Sequence, residues 1–71
     1  MSLMQVAPGC RVRLVGVQAG RRLQARLAAM GLVPGVEVEV INNRVHGPFI
    51  IEVKGSRMVL GRGMAGKILV E

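Results

Sequence analysis

Hydrophobic positions recur along this chain first with period two, then with a helical period, then with period two again. "CRVRLVGV" alternates, with Val12 and Leu14 on one face and Arg11 and Arg13 on the other. β-Branched residues in that period argue a half-buried strand. In "GRRLQARLAAMG" the period changes: Leu23, Leu27 and Met30 stand at i, i+4 and i+7, one stripe of a helix over about residues 20–31. Ala, Leu, Arg and Gln are good helix formers. A helix of about three turns is marginal alone, so it must dock its Leu/Met stripe on the rest of the fold. "VEVEVINN" then places Val36, Val38 and Val40 inward and Glu37 and Glu39 outward. "GPFIIEV" puts Phe49, Ile51 and Val53 on one face, and "VKGSRMVLG" reads as a hairpin turning at Gly55-Ser56, with Met58 and Leu60 inward. "RGMAGK" is long enough for a single helical turn, and "KILVE" closes with Ile68 and Val70 inward.

The punctuation agrees with these elements. Pro8-Gly9 and Pro34-Gly35 each stand just ahead of a strand. A type II turn takes Pro at its second position and, at its third, Gly, which tolerates φ > 0. Gly31 is the expected left-handed residue that ends the helix. Five short strands with one helix after the first predict a mainly-β fold, a small, highly bent five-stranded barrel whose closure limits exposed strand edges. The 71 residues form one domain, 1–71. Residues 1–5, beginning "MSL", are read as a leader or disordered segment without structural weight.

Composition narrows the chemistry. With 51% hydrophobic residues and a single aromatic, Phe49, the core must be aliphatic. Cys10 is the only cysteine, which excludes an intramolecular disulfide and a cysteine zinc cluster and suits a reducing, cytoplasmic setting. No apolar run is long enough for a transmembrane helix, and the N-terminus lacks the charge and long apolar run of a signal peptide. The net charge of +6 permits nucleic acid, anionic lipid or an acidic protein surface as partner and chooses none of them.

No catalytic set emerges. The four acids are Glu37, Glu39, Glu52 and Glu71, three of them on outward strand positions and one terminal. "GRGMAG" from Gly61 to Gly66 has the letters of a dinucleotide-binding loop without the flanking strand and helix, and is read as turns around a tight corner. His46, in a loop, and Cys10, read as a half-buried small hydrophobe, are the two candidate metal ligands. They are too few for a four-ligand zinc site within one chain, so a site would need the two to meet or a second copy to contribute. Met30 and Met58 are assigned to the core. Arg21, Arg22 and Arg26 decorate the polar side of the helix. Modules for single-stranded nucleic acid interleave such charges with stacking aromatics, and here Phe49 is expected inside.

The ordered pieces "RRLQARLAAMGLVPGVEVEVI" and "HGPFIIEVKGSRMVLGRGMAGKILV" resemble the FeoA family, the small cytosolic component of bacterial ferrous iron uptake. The resemblance runs from about Pro8 to Val70, and its most specific part is "L..MGL.PG". Gly47-Pro48 and the closing Ala65, Ile68 and Val70 support it. It implies an SH3-like five-stranded barrel with a helix inserted after the first strand. It also implies a partner: FeoB, a membrane permease with a cytosolic GTP-binding domain. Where relatives often carry charges in the "LGRGMAG" stretch, this chain has Gly61 and Met64.

The resulting expectation is a non-enzymatic, cytoplasmic accessory protein without a cofactor, docking on FeoB. The expected surface is Arg21, Arg22, Arg26, Leu32 and Val33, an apolar pair on a turn beside arginines. The alternatives are a basic small barrel that binds nucleic acid, or a metal-responsive module that self-associates through His46 or Cys10. A homodimer through an edge strand fits a small aliphatic barrel.

Overall fold

Two Pro-Gly turns frame the first strand pair. In the computed structural model, which describes residues 1–71, the turn Ala7-Pro8-Gly9-Cys10 is closed by Cys10 N donating to Ala7 O at 3.2 Å. Val33-Pro34-Gly35-Val36 is closed in the same way by Val36 N to Val33 O at 3.2 Å. Gly9 and Gly35 have φ of 87° and 95°, the left-handed values that a side chain would resist. Each glycine then donates across to the opposite strand, Gly9 N to Val40 O at 2.7 Å and Gly35 N to Leu14 O at 2.8 Å. The turns therefore cap the two ends of one antiparallel ribbon. In it β1 (Arg11–Val17) pairs with β2 (Glu37–Asn42), Val12 opposite Val38.

Three further strands, β3 (Phe49–Val53), β4 (Ser56–Leu60) and β5 (Ile68–Val70), complete a single sheet in the order β4-β3-β2-β1-β5. All neighbours are antiparallel, with register shifts at Leu14/Gly16 and at Val40/Asn42. Such irregularities bend and twist strands, and here they curl the sheet over one largely aliphatic core into the mainly-β architecture that the alternation predicts. Val36, Val38, Val40, Phe49, Ile51, Val53, Leu60, Ile68 and Val70 are all buried, as their alternation requires. The sheet is not closed by hydrogen bonds, because β4 and β5 are its two edges.

Helix α1 (Arg21–Ala29) follows β1 and is shorter than its periodicity suggests. Met30 is the C-cap, and Gly31 takes φ 88°. Gly31 N donates to Ala28 O at 2.9 Å and Leu32 N to Leu27 O at 2.8 Å, the paired bonds of a Schellman motif. That motif brings the second residue past the cap back towards the last helical turn. Leu32 is accordingly only 2% exposed and sits in the same core as Leu27. Met30, expected in the core, is instead 37% exposed, since the chain leaves the helix at that residue.

Two other expectations change. The β3–β4 hairpin turns at Lys54-Gly55, one residue earlier than expected. Both residues have positive φ (51° and 81°), and Val53 pairs with Ser56. These are the values of a type I′ turn. Residues 1–5 also carry structural weight. Leu3–Gln5 forms a 3-10 turn closed by a capping box: Met4 N donates to Ser2 Oγ at 3.2 Å, and Ser2 N to Gln5 Oε1 at 2.8 Å. Leu3 is fully buried, which contributes about 1.5–3 kcal/mol. Ser2 bridges to Leu69, so this segment covers the outer edge of β5.

Candidate docking surface

Two groups of charges lie on different parts of the molecule and behave differently. On the outer face of the sheet Glu39 and Glu52 stand directly opposite each other. Each is held by an arginine, Arg11 Nη2 to Glu39 Oε1 at 3.3 Å and Arg57 Nε to Glu52 Oε1 at 3.2 Å. An open depression of about 420 Å³ lies there, lined by Glu37, Glu39 and Glu52 against Arg11 and Lys54. Its size suits a small ligand, but Val36 is its single hydrophobic wall residue, whereas ligand pockets are mostly apolar. Glu39 and Glu52 are matched by neighbouring arginines, while Glu37 and Lys54 form no ion pair.

On α1 nothing matches the cations. Arg21, Arg22 and Arg26 are exposed, and none of them forms an ion pair. No acidic residue stands in the first turn, and Gly20 at the N-cap supplies no side-chain bond. Arg21 and Arg22 therefore add positive charge to the end of the helix that already carries the positive pole of its dipole. Gln24 fixes how the helix leaves β1, its Nε2 donating to Ala19 O at 2.7 Å. At the far end of α1, Met30 and Val33 are 37% and 40% exposed. Of the five residues expected to form a partner surface, four are exposed. Leu32 is withdrawn from it, because the Schellman motif turns that side chain into the core, and Met30 stands exposed beside the joint instead.

Cys10, expected to be half-buried, is exposed beside the first Pro-Gly turn, and His46 is exposed in the β2–β3 loop. No three His, Cys, Asp or Glu side chains converge to hold a metal ion.

One polar cluster escapes sequence reasoning altogether. Arg62 opens the single-turn helix α2 (Arg62–Ala65). Its Nη1 donates to Asn43 Oδ1 at 3.0 Å, and its Nη2 to Gly47 O at 2.9 Å and to Arg44 O. The guanidinium also lies over Phe49, 5.9 Å from the ring centroid. Asn43 in turn donates to Met4 O at 2.9 Å and Val6 O at 3.1 Å. Arg62 and Asn43 thus tie α2, the β2–β3 loop and the N-terminal turn together. The "GRGMAG" stretch is the corner this staple holds.

The fold and this surface can be set beside known proteins. The FeoA domain model matches residues 1–71. The chain belongs to the FeoA family. It is 46% identical over 55 residues to a protein of Methanocaldococcus jannaschii named as a candidate Fe(2+) transport protein A, covering 78% of this chain. It spans 66% of that relative's length. The crystal structure of an iron uptake regulatory protein, FeoA, superimposes with a TM-score of 0.91 at 34% identity, covering 99% of this chain and 93% of the other. A FeoA of Stenotrophomonas maltophilia, crystallised with zinc and described as a prokaryotic SH3 domain protein, gives 0.86 at 26% identity, over 100% and 89% of the two chains. This family member has no donor set of its own that fits such an ion within one chain, so no role here is routed through zinc. No helix is long and apolar enough to cross a membrane.

Proposed function

We propose that this chain is a non-enzymatic accessory protein of ferrous iron uptake that works by docking α1 and its C-terminal joint on the cytosolic part of a FeoB-type permease. The observation that carries the reading is the surface formed by Arg21, Arg22 and Arg26 with exposed Met30 and Val33: none of these three arginines forms an ion pair, whereas on the sheet Arg11 and Arg57 are held by Glu39 and Glu52. Unpaired cations around exposed apolar side chains suit a partner with acidic groups around an apolar centre, because pairing then neutralises charges left unmatched in the free protein. Membership of the FeoA family, and the Fe(2+) transport name of the relative, supply the system in which that partner is sought.

The test is a titration against the permease's GTP-binding domain and, separately, its other cytosolic segments, each with GDP and with a GTP analogue. Binding to one of them is expected, weakening as salt rises. Reversing the charges at Arg22→Glu and Arg26→Glu is expected to weaken it about tenfold or more, the scale set by losing roughly 1.4 kcal/mol. Absence of binding to every segment in both nucleotide states would sink the proposal. Attachment to generic nucleic acid that disappears steeply with salt would report only the +6 charge.

A further inference from the structure

The two edges of the sheet are treated differently. The outer edge of β5 is covered: Ser2 bridges to Leu69, and Val70 N donates to Met1 O at 2.8 Å. β4 has β3 as its only hydrogen-bonded neighbour. Its register is regular, from Val53 opposite Ser56 at the turn to Phe49 opposite Leu60. In a two-residue hairpin the pair flanking the turn is hydrogen-bonded, and bonded and non-bonded pairs then alternate. Ser56, Met58 and Leu60 therefore bond to β3, while Arg57 and Val59 turn their N–H and C=O groups away from it. No turn, loop or side-chain hydrogen bond reaches any of those four groups.

The usual protections of such an edge are missing. β4 contains no proline, no lysine and no bulge. Val59 is 63% exposed. Arg57 is the strand's one charge, and its guanidinium is drawn onto Glu52 of β3.

We propose that the free edge of β4 pairs with the same strand of a second copy, antiparallel about a two-fold axis at Met58. In this register Arg57 lies opposite Val59 of the second copy, and Val59 opposite its Arg57. All four outward groups on each strand find partners, giving four backbone hydrogen bonds. Val59 then packs on the aliphatic stem of the opposite arginine, which keeps its own Glu52. A shift by two residues in one direction sets Arg57 against Arg57, like charges directly opposite. A shift in the other direction leaves Arg57 facing Gly61, beyond the strand. The strand's charge pattern therefore fits itself in one register. The contact lies on β4 and does not depend on the proposed docking through α1.

Salt separates the two contacts. Each copy carries +6, so screening favours self-pairing, whereas docking of arginines on an acidic partner weakens with salt. The test combines sedimentation from about 10 μM to about 1 mM, where contacts worth a few hydrogen bonds assemble, with residue-resolved amide exchange. The mass is expected to double across this range, at lower concentration when salt is raised. The Arg57 and Val59 amides should slow about tenfold when about 90% of the protein is paired, by mass action. The Met58 amide, bonded within each copy, should not respond to concentration. Val59→Pro removes an N–H that β3 does not use, and proline is tolerated at such edge positions. Val59→Lys adds a like charge without touching the backbone. Both variants should stay monomeric with unchanged circular dichroism, and Val59→Lys alone suffices if the proline disturbs folding. A wild-type protein that is monomeric throughout would overturn the proposal. So would a dimer that persists in Val59→Lys or that leaves the Arg57 and Val59 amides unprotected.

Discussion

The joint between α1 and β2 and the corner at α2 are both tight changes of direction, and they are held by opposite means. The joint is closed by the main chain: Gly31 N to Ala28 O, Leu32 N to Leu27 O, Val36 N to Val33 O and Gly35 N to Leu14 O, all between 2.8 and 3.2 Å. Side chains enter through Leu27, Leu32 and Val36, which lock it to the core. The corner is closed by side chains reaching distant backbone. Arg62 crosses to Asn43, Arg44 and Gly47, and Asn43 crosses to Met4 and Val6. A main-chain device needs residues of the right conformational freedom in a row. A side-chain staple needs the rest of the fold in place first.

The largest effect is expected where the joint meets the core. Leu32→Ala removes a side chain that is 2% exposed and leaves a cavity beside Leu27, at a cost of about 2–5 kcal/mol. A chain of 71 residues has a total stability of roughly 4–11 kcal/mol, so the variant loses a large share of it. Urea unfolding measures the loss. A change below about 1 kcal/mol would show that Leu32 is a surface residue after all and return it to the docking patch.

The corner should respond less, and differently. Arg62→Met keeps an apolar stem near Phe49 but leaves Asn43 Oδ1 and Gly47 O without their donor. Each loses a hydrogen bond with its net worth near 1 kcal/mol, and the loss together is expected at about 1–3 kcal/mol. The location of the damage sharpens the contrast. Amide exchange should quicken first in residues 3–6, which Asn43 holds, while the Gly31–Val36 joint keeps its protection. A double-mutant cycle with Asn43→Ala is expected to show strong coupling, since the two side chains share one network. Additive losses would mean that each side chain acts alone and that the corner is not a single staple.

What was legible in the sequence follows the same division. The strands, the helix, both Pro-Gly turns and the left-handed Gly31 are written in periods and dipeptides a few residues long, and the core residues of β2, β3 and β5 follow from alternation. Leu32 is expected on the partner surface because it stands on a turn beside arginines, and the Schellman motif instead carries it into the core. Met30 continues the stripe in sequence but not in space, since the helix stops before it. The Arg62–Asn43 staple spans 19 positions and joins residues that look like ordinary surface polar groups. Nothing local distinguishes that arginine from Arg21 or Arg22, and only the fold assigns one to a corner and the others to an open face.

The smallest effect isolates backbone conformation from contact. A Cβ added at Gly31 would meet nothing within 4 Å, so Gly31→Ala is opposed by its φ of 88° alone. Holding an L-residue in the left-handed region costs roughly 1–2 kcal/mol, and Gly31→Asn should cost less, because asparagine visits that region more readily. A chain of this length is within reach of chemical synthesis, which permits a stricter version. D-Alanine at position 31 prefers positive φ and fits the same open space, so it should stabilise the fold by about 0.4–1 kcal/mol through the unfolded chain it restricts. Equal losses for L- and D-alanine would mean that the side chain's mere presence disturbs the joint. Opposite signs would establish that the joint is specified by main-chain geometry, in contrast to a corner that no substitution of handedness could mend.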